Sequence, residues 1–156
     1  MKDLKILIVG GGIAGLSAMR ALELYGYSPT LVEKSDTIRS DGTGILLGIN
    51  AVSILTEMGY KEALENDGLE LSSMSALDER GDLIAACDLE YVKSKSGSKT
   101  YAIHRESIIS MLLNSVDKTK IQTGKKLSGI QNYKQAVQVS FENGDAEIYD
   151  LVIGRD

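Results

Sequence analysis

The sequence predicts an α/β fold in which a parallel sheet, covered by helices, carries an inserted antiparallel β segment. Short apolar runs suited to buried parallel strands alternate with stretches of helical apolar spacing in the first part of the chain. From residue 68 onward, strand-like runs separated by turn residues replace this alternation. The final run, residues 151–154, is again apolar. We therefore expect one domain over residues 1–156, with residues 68–100 as its antiparallel insert.

Length and composition limit the class of protein. The chain has 156 residues, 43% hydrophobic and 25% charged, so we expect a folded core rather than disorder. The net charge of −5 argues against a nucleic-acid surface. No apolar run approaches the roughly 20 residues that span a membrane, and the first strand follows the start of the sequence directly, without a signal-peptide pattern. We therefore expect a cytoplasmic protein that contacts neither nucleic acid nor membrane.

The first strand and the turn after it form the strongest motif. The apolar run Ile6–Val9 suits a strand buried on both faces, and the glycines that follow, Gly10, Gly12 and Gly15, have the spacing Gly-x-Gly-x-x-Gly. The first glycine allows a tight turn, the second lets backbone amides approach a pyrophosphate, and the third lets helix and strand pack closely. The helix that follows would direct unpaired N–H groups at the anion.

A second strand places an acidic side chain near this turn. Pro29 precedes the apolar run Thr30-Leu31-Val32, and Glu33 follows it, 18 residues beyond Gly15. A carboxylate there can accept hydrogen bonds from a ribose diol, and its charge disfavours a 2′-phosphate. With the glycine turn, it predicts an adenine dinucleotide site on a Rossmann-like βαβ unit; the alternative is a plain glycine turn.

A polar loop over residues 34–48 interrupts the βαβ pattern. Loops at the carboxyl ends of parallel strands bind ligands in doubly wound sheets, so Arg39 is a candidate for a phosphate contact. A solvated surface arginine is the alternative. Beyond the loop, Asn50 predicts the N-cap of a helix that ends at Gly59.

The insert contains a predicted hairpin and a predicted flexible loop. Extended runs on both sides of the turn at residues 79–82 favour an antiparallel pair of strands. The polar stretch at residues 94–98 is expected to be a flexible solvent loop. Cys87 lies in an apolar run and is expected to be a buried, inert thiol. It is the only cysteine, and His104 is the only histidine, so we expect no metal site.

The rest of the chain predicts one helix and a strand-rich end. The pair His104-Arg105 opens a helix after a short strand, and the turn at residues 143–145 has hairpin chemistry. The predicted strands of this part are residues 100–103, 120–122, 127–133, 137–141, 147–149 and 151–154.

Three separated motifs and one loop can be compared with a known family. The motifs are the glycine turn at residues 8–16, the His104-Arg105 pair heading a helix, and the closing residues 150–156. The loop at residues 39–50 has the form Arg-x-x-Gly-x-Gly-Ile. Together they resemble the FAD-dependent aromatic hydroxylases. These are single-component flavoprotein monooxygenases similar to para-hydroxybenzoate hydroxylase and the tetracycline-inactivating monooxygenases.

The resemblance implies an FAD site with particular contacts. It implies that the glycine turn holds the pyrophosphate and that Glu33, beside Lys34, holds the adenosine ribose. Arg39 and Arg105 would reach the flavin's phosphate or ribityl region, and the backbone near Leu127 would face the adenine. The resemblance assigns Asp156 to the ribityl and pyrophosphate side. No catalytic residue is assigned, and the cofactor-binding candidates are Gly10, Gly11, Gly12, Ile13, Ala14, Gly15, Glu33, Lys34, Arg39, Gly44, Arg105, Leu127 and Asp156.

The resemblance also implies an activity, that of an oxidoreductase. In the family, NAD(P)H reduces FAD, the reduced flavin reacts with oxygen, and an aromatic or similar small-molecule substrate is hydroxylated. Family members continue well beyond the motif at which this sequence stops. The resemblance therefore implies the FAD-binding half of such an enzyme with only the beginning of a substrate domain, and we expect this chain alone to hydroxylate poorly or not at all.

Two alternatives stay open beside the oxidoreductase. The chain could be a non-catalytic module that binds FAD or another adenine nucleotide. It could also be a subunit of a split flavoprotein that forms a homodimer, or pairs with a complementary chain, through an exposed sheet edge.

Overall fold

The computed structural model describes residues 4–154. The chain divides into two compact units. The first unit comprises Met1–Asp41 and Ile109–Asp156, and the second comprises Gly42–Ile108. In chain order the elements are β1 (Ile6–Val9), α1 (Ile13–Leu24), β2 (Thr30–Val32), β3 (Gly44–Leu47), α2 (Ile49–Glu57), α3 (Lys61–Asp67), β4 (Leu69–Glu70), β5 (Ser73–Leu77), β6 (Leu83–Asp88), α4 (Leu89–Ser96), β7 (Tyr101–His104), α5 (Arg105–Leu113), a 3₁₀ turn (Lys118–Lys120), β8 (Ile121–Gln122), β9 (Leu127–Asn132), β10 (Val137–Phe141), β11 (Ala146–Tyr149) and β12 (Leu151–Gly154).

A four-stranded parallel sheet forms the centre of the first unit. Its strand order is β12-β1-β2-β8, and every neighbouring pair is parallel. Ile8 lies opposite Leu31 on one side and Ile153 on the other. Strand β1 is buried because it has a strand on each side and α1 and the meander nearby, which explains its unbroken apolar run. The predicted Rossmann-like α/β fold is confirmed.

A three-stranded antiparallel meander, β9-β10-β11, packs against this sheet. The predicted turn at residues 143–145 is present, with Gly144 at a φ of +90°. The meander and the parallel sheet share one buried cluster, so they form one core inside the first unit. Its members are Leu7, Val32, Val139, Phe141 and Tyr149.

An ionic network joins the meander to the start of β1. Lys125 Nζ donates to Glu147 Oε1 at 2.8 Å, and Lys5 Nζ donates to Glu147 Oε2 at 3.2 Å. The Tyr149 hydroxyl donates to the same Oε2 at 3.0 Å. The Lys125 bond outweighs the effect of burial and, with the bonds from Lys5 and Tyr149, lowers the pKa of Glu147 to about 2. Glu147 is therefore ionised throughout the neutral range.

The second unit contains two antiparallel sheets. Strands β3, β7 and β4 form one, in the order β3-β7-β4, and β5 with β6 forms a separate two-stranded ribbon. The ribbon is the predicted antiparallel hairpin, with its turn at residues 79–82. Every residue of the ribbon is exposed except Cys87, which is half-buried. The expectation of a buried Cys87 is therefore wrong, because the apolar run around it lies on a ribbon with few neighbours.

Two local expectations in the second unit are corrected. Residues 94–96 belong to helix α4 rather than to a loop: Asp88 caps its first turn by accepting from the Tyr91 N–H at 3.0 Å, and Gly97 ends it at a φ of +71°. These caps offset a polar composition that shows no helical apolar pattern. Asn50 lies inside α2, whose N-cap is Gly48.

Candidate functional site

The turn between β1 and α1 requires glycine at two positions. Gly10 has a φ of +105°, and its N–H donates to the Val32 carbonyl at 2.8 Å, which ties the turn to β2. Gly15 lies in the first turn of α1 directly against Gly10, so a Cβ at Gly15 would overlap the Gly10 carbonyl oxygen. The structure thereby supplies the close helix–strand approach that the motif predicts.

The amino end of α1 faces open space. Helix α1 begins at Ile13, with Gly12 as its N-cap in an extended conformation. Because the cap is a glycine and the first turn contains no acidic residue, no side chain of α1 competes for its first amide groups. A Cβ at Gly12 would meet no atom of the described chain within 4 Å. This end of the helix can therefore accept an anionic group against its backbone amides.

Glu33 lies beside the same turn. One carboxylate oxygen accepts a hydrogen bond from the Gly11 N–H at 2.7 Å, and the other accepts from the Ser35 N–H at 2.9 Å. Burial raises the pKa of Glu33, but the bonds from Ser35 and Gly11 and the charge of Lys34 outweigh it, so the net pKa is lowered. An ionised carboxylate offers about four lone-pair positions, so at least one remains for a hydroxyl donor after the bonds from Gly11 and from the backbone and side chain of Ser35.

Gly11 also needs to be a glycine, although the motif leaves that position free. A Cβ at Gly11 would overlap Ile38 Cδ1 and lie 3.3 Å from Glu33 Oε2. Ile38 therefore covers the place where the turn meets the carboxylate. Sequence reasoning missed Ile38; the available signal was that Ile38 is the one apolar residue among residues 34–44.

The chain after β8 runs along the residues that follow β2. The Glu33 carbonyl accepts from the Lys125 N–H at 2.9 Å, and the Ser35 carbonyl accepts from the Gly124 N–H at 2.9 Å. This path leads directly into β9, where the Leu127 side chain packs against the apolar core. Leu127 thus belongs to the unit that holds the glycine turn, while a role for its backbone toward a ligand stays a prediction.

The candidates fall into two groups, one in each unit. In the first unit, Glu33 is hydrogen-bonded to Gly11 of the turn, and Lys34 and Arg39 follow it as exposed residues. In the second unit, Gly44 lies opposite His104 in the β3–β7 pair, and Arg105 opens α5 next in the chain. The candidates of the turn are Gly10, Gly11, Gly12, Ile13, Ala14 and Gly15, and Asp156 lies outside the described residues.

A groove of about 410 Å³ lies elsewhere in the second unit, between α2, α3 and α4. None of the cofactor-binding candidates lines it. Two of its three lysines are paired with carboxylates, Lys93 with Glu70 and Lys99 with Glu65 and Glu70. These ion pairs weaken the positive charge that Lys93 and Lys99 would present to a phosphate.

Two further classes of site are absent from the described part of the chain. Among residues 4–154, no helix is long and apolar enough to cross a membrane. Within the same residues, no group of three or more His, Cys, Asp or Glu side chains is arranged to hold a metal ion.

Comparison with known proteins finds flavoenzymes. Residues 3–152 match the family described as FAD binding domain. The chain is 27% identical over 154 residues to 6-hydroxynicotinate 3-monooxygenase of Pseudomonas fluorescens, covering 97% of this chain and 40% of that protein. It is 28% identical over 156 residues to the FAD-dependent urate hydroxylase of Mycolicibacterium vanbaalenii, covering 98% of this chain and 40% of that protein.

A solved structure agrees with these relatives. The fold matches a variant of Klebsiella pneumoniae HpxO complexed with FAD, with a TM-score of 0.79 and 25% identity over 96% of this chain and 38% of that chain. The chain thus spans about 40% of the length of the curated relatives it matches. The turn also fits an adenine dinucleotide, because its helix end is open above Gly12 and its carboxylate retains at least one free acceptor position. The chain belongs to the FAD-binding-domain family of the flavin-dependent monooxygenases.

Proposed function

We propose that the glycine turn and Glu33 hold the ADP portion of FAD. Amides at the amino end of α1 would bind the pyrophosphate in the open space above Gly12. The ribose diol would donate to the carboxylate positions that Gly11 and Ser35 leave free. The observation that carries the proposal is the Glu33 carboxylate, held 2.7 Å from the Gly11 amide beside an uncapped helix end.

The remaining candidates would contact other parts of FAD. Lys34 and Arg39 follow Glu33 in an exposed loop, where they can add positive charge near the phosphates. Arg105 and Gly44 would serve the ribityl or flavin side, the backbone at Leu127 the adenine, and Asp156 the ribityl and pyrophosphate side. When bound, FAD supplies the redox and oxygen chemistry, and the protein supplies position and electrostatics.

We propose that the whole protein is an NAD(P)H-dependent monooxygenase acting on an aromatic or similar small molecule. The relatives support a heteroaromatic substrate class, because one is named for 6-hydroxynicotinate and another for urate. About 60% of each relative's length lies outside the part this chain matches, so the chain alone is expected to hydroxylate substrate poorly or not at all. Coupled formation of hydroxylated product by the purified 156-residue chain would contradict this expectation.

Binding of FAD is tested by spectroscopy and calorimetry. A freshly purified, FAD-supplemented chain should show a flavin absorption band after removal of free ligand, and titration should give a clearly lower Kd for FAD than for ADP. Equal, weak binding of FAD and ADP would instead favour a non-catalytic adenine-nucleotide module. Binding of neither ligand would contradict the proposal.

We also propose a protein surface on the β5–β6 ribbon. Two-stranded ribbons are marginally stable by themselves in water, and this one exposes Met74, Leu77, Leu83 and Ile84. Its free strand edges can pair with antiparallel strands of a substrate domain, supplied by a complementary polypeptide. Light scattering after size-exclusion chromatography tests pairing through this edge: a sharp monomer peak would count against pairing between copies of the chain, and a complementary polypeptide would have to be added to test the other partner. A concentration-dependent dimer that Ile84→Lys abolishes would favour a homodimer instead.

A further inference from the structure

Gly42 lies directly against the side chain of Arg105. Gly42 has a φ of +152°, and an ideal Cβ there would stand 2.9 Å from Arg105 Cδ and 3.5 Å from its Cβ. Both residues belong to the second unit, and the Arg105 N–H also faces the Thr43 carbonyl, at 3.4 Å. The aliphatic stem of Arg105 therefore runs over a backbone position that has no side chain.

This contact constrains where the guanidinium can lie. The stem of arginine has several rotatable bonds, and each rotamer carries the guanidinium to a different place. The missing side chain at Gly42 makes room for the observed rotamer. With a methyl group at Gly42, Cδ would have to move by several tenths of an ångström, and the guanidinium beyond it would move further.

We propose that Gly42 is a positioning residue for Arg105, and that it holds the guanidinium in the direction needed for FAD. The inference rests on the proposed FAD function, in which Arg105 contacts the cofactor. Sequence reasoning assigned Gly44 and Arg105 but gave Gly42 no role. The structure assigns Gly42 one because it lies under the Arg105 stem.

Backbone strain has to be separated from this contact. An alanine at Gly42 would be strained by its positive φ even if Arg105 were absent. Gly81, in the same unit, has a φ of +88°, and a Cβ there would meet no atom of the described chain within 4 Å. Gly81→Ala therefore also places an alanine at a positive φ, without touching Arg105, and it serves as the control for backbone strain.

A double-mutant cycle tests the positioning role. FAD is titrated against the full chain in wild type, Gly42→Ala, Arg105→Ala and the double variant, with flavin fluorescence as the readout. We expect Gly42→Ala to weaken FAD binding about tenfold when Arg105 is present and less than about twofold when it is alanine. Gly81→Ala should leave the Kd for FAD unchanged. An equal loss from Gly42→Ala in both backgrounds would show a merely structural role and overturn the proposal.

Thermal unfolding of the FAD-free proteins gives a second, independent cycle. If the contact is as described, Gly42→Ala should lower Tm more in the Arg105 background than in the alanine background. Should Gly42→Ala fail to fold, recovery of a cooperative transition in the double variant supports the contact, whereas failure of both variants overturns it. A wild-type chain that does not bind FAD defeats the proposed function and this role together. In that case, a larger Tm loss from Gly42→Ala with Arg105 present than with alanine at position 105 would show that the contact exists but does not serve FAD binding.

Discussion

Gly12 and Gly15 are required for different reasons, and alanine substitutions can distinguish those reasons. Gly15→Ala should destabilise the fold, because its methyl group would overlap the Gly10 carbonyl. Gly12→Ala should leave Tm nearly unchanged, because its methyl group would point into open space and its φ of −80° suits alanine. The same methyl group would occupy the phosphate position, so FAD affinity should fall at least about tenfold.

Thermal unfolding and FAD titration of both variants check this prediction. Alanine normally stabilises a helix by about 0.5–1 kcal/mol relative to glycine, so a lower Tm for Gly15→Ala reports the overlap rather than helix propensity. Gly129→Ala serves as the control, because a Cβ at Gly129 meets no atom of the described chain within 4 Å. Unchanged FAD affinity in Gly12→Ala would argue against the proposed phosphate position.

The charge of Glu33 should be needed for ribose binding. Glu33→Gln keeps the shape but replaces one acceptor oxygen with a donor amide, so it loses its bond either to a backbone N–H or to a ribose hydroxyl. We expect about a tenfold weaker Kd for FAD at pH 7. Glu142→Gln is the control, since Glu142 forms an exposed ion pair with Lys126. An unchanged Kd for Glu33→Gln would show that the Glu33 carboxylate does not contact FAD.

The pH dependence of Glu33 follows from the direction of its pKa shift. Because the pKa of Glu33 is lowered in the folded chain, the hydrogen bonds that its carboxylate accepts stabilise the fold fully above the ordinary glutamate pKa. They are lost only as the pH falls through the lowered value. FAD affinity should therefore be constant from pH 8 to about 5 and decline at lower pH, as a pH series of titrations would show. A decline between pH 7 and 6 would contradict the assigned carboxylate.

At the scale of elements, the ionised carboxylate of Glu147 adds to the apolar core by linking the meander to Lys5 at the start of β1. The pKa of Glu147 is lowered to about 2, so its contribution is complete above the ordinary glutamate pKa and is lost as the pH falls toward 2. Its side chain is 32% exposed, so solvent screens these ion pairs and makes their contribution smaller than that of a buried pair. Glu147→Gln should lower the free energy of unfolding by about 1–2 kcal/mol at pH 7.

Denaturant unfolding at several pH values measures this contribution. The difference between wild type and Glu147→Gln should shrink between pH 4.5 and 2, because over this range the wild-type carboxyl group takes up a proton first in the unfolded chain and then, near pH 2, in the folded chain. Glu142→Gln, in the same meander, should change stability by less than about 0.5 kcal/mol. A difference between wild type and Glu147→Gln that does not vary with pH would assign the effect to packing.

The apolar core between the same two elements gives a companion prediction. Val139 is fully buried on β10 among residues of both sheets, so Val139→Ala should cost about 2 kcal/mol of unfolding free energy. Ile148, on the neighbouring strand β11, is 61% exposed, and Ile148→Ala should cost less than about 1 kcal/mol. Chemical denaturation compares the two. Equal losses would mean that the meander does not pack on the sheet as described.

At the scale of the whole molecule, FAD should stabilise the folded chain by mass action. At a free concentration about 100 times its Kd, a ligand that binds only the folded state adds about 2.7 kcal/mol. FAD should therefore raise Tm of the wild-type chain, while a tenfold weaker Kd in Gly12→Ala should reduce the added free energy to about 1.4 kcal/mol at the same concentration and give a correspondingly smaller Tm shift. Differential scanning calorimetry checks this. A shift of the same size in Gly12→Ala would place FAD elsewhere.

Local sequence patterns determined the elements that build the site. The glycine spacing, the apolar runs of β1 and β2 and the acidic residue after β2 predict the turn, because each acts on backbone conformation within a few residues. The closing strand β12 was likewise predicted from its own apolar run. Helix α4 was not, since Asp88 and Gly97 cap a polar segment that carries no apolar period.

Only the tertiary structure decided which distant residues meet. It places β12 beside β1, Ile38 over Gly11, and Gly42 under Arg105. It also leaves the apolar ribbon exposed, although its composition resembles that of a buried strand. The physical reason is that burial and contact depend on how remote segments pack, which a local pattern does not encode. The family motif thus determined the cofactor class, and packing decided which additional residues shape the site.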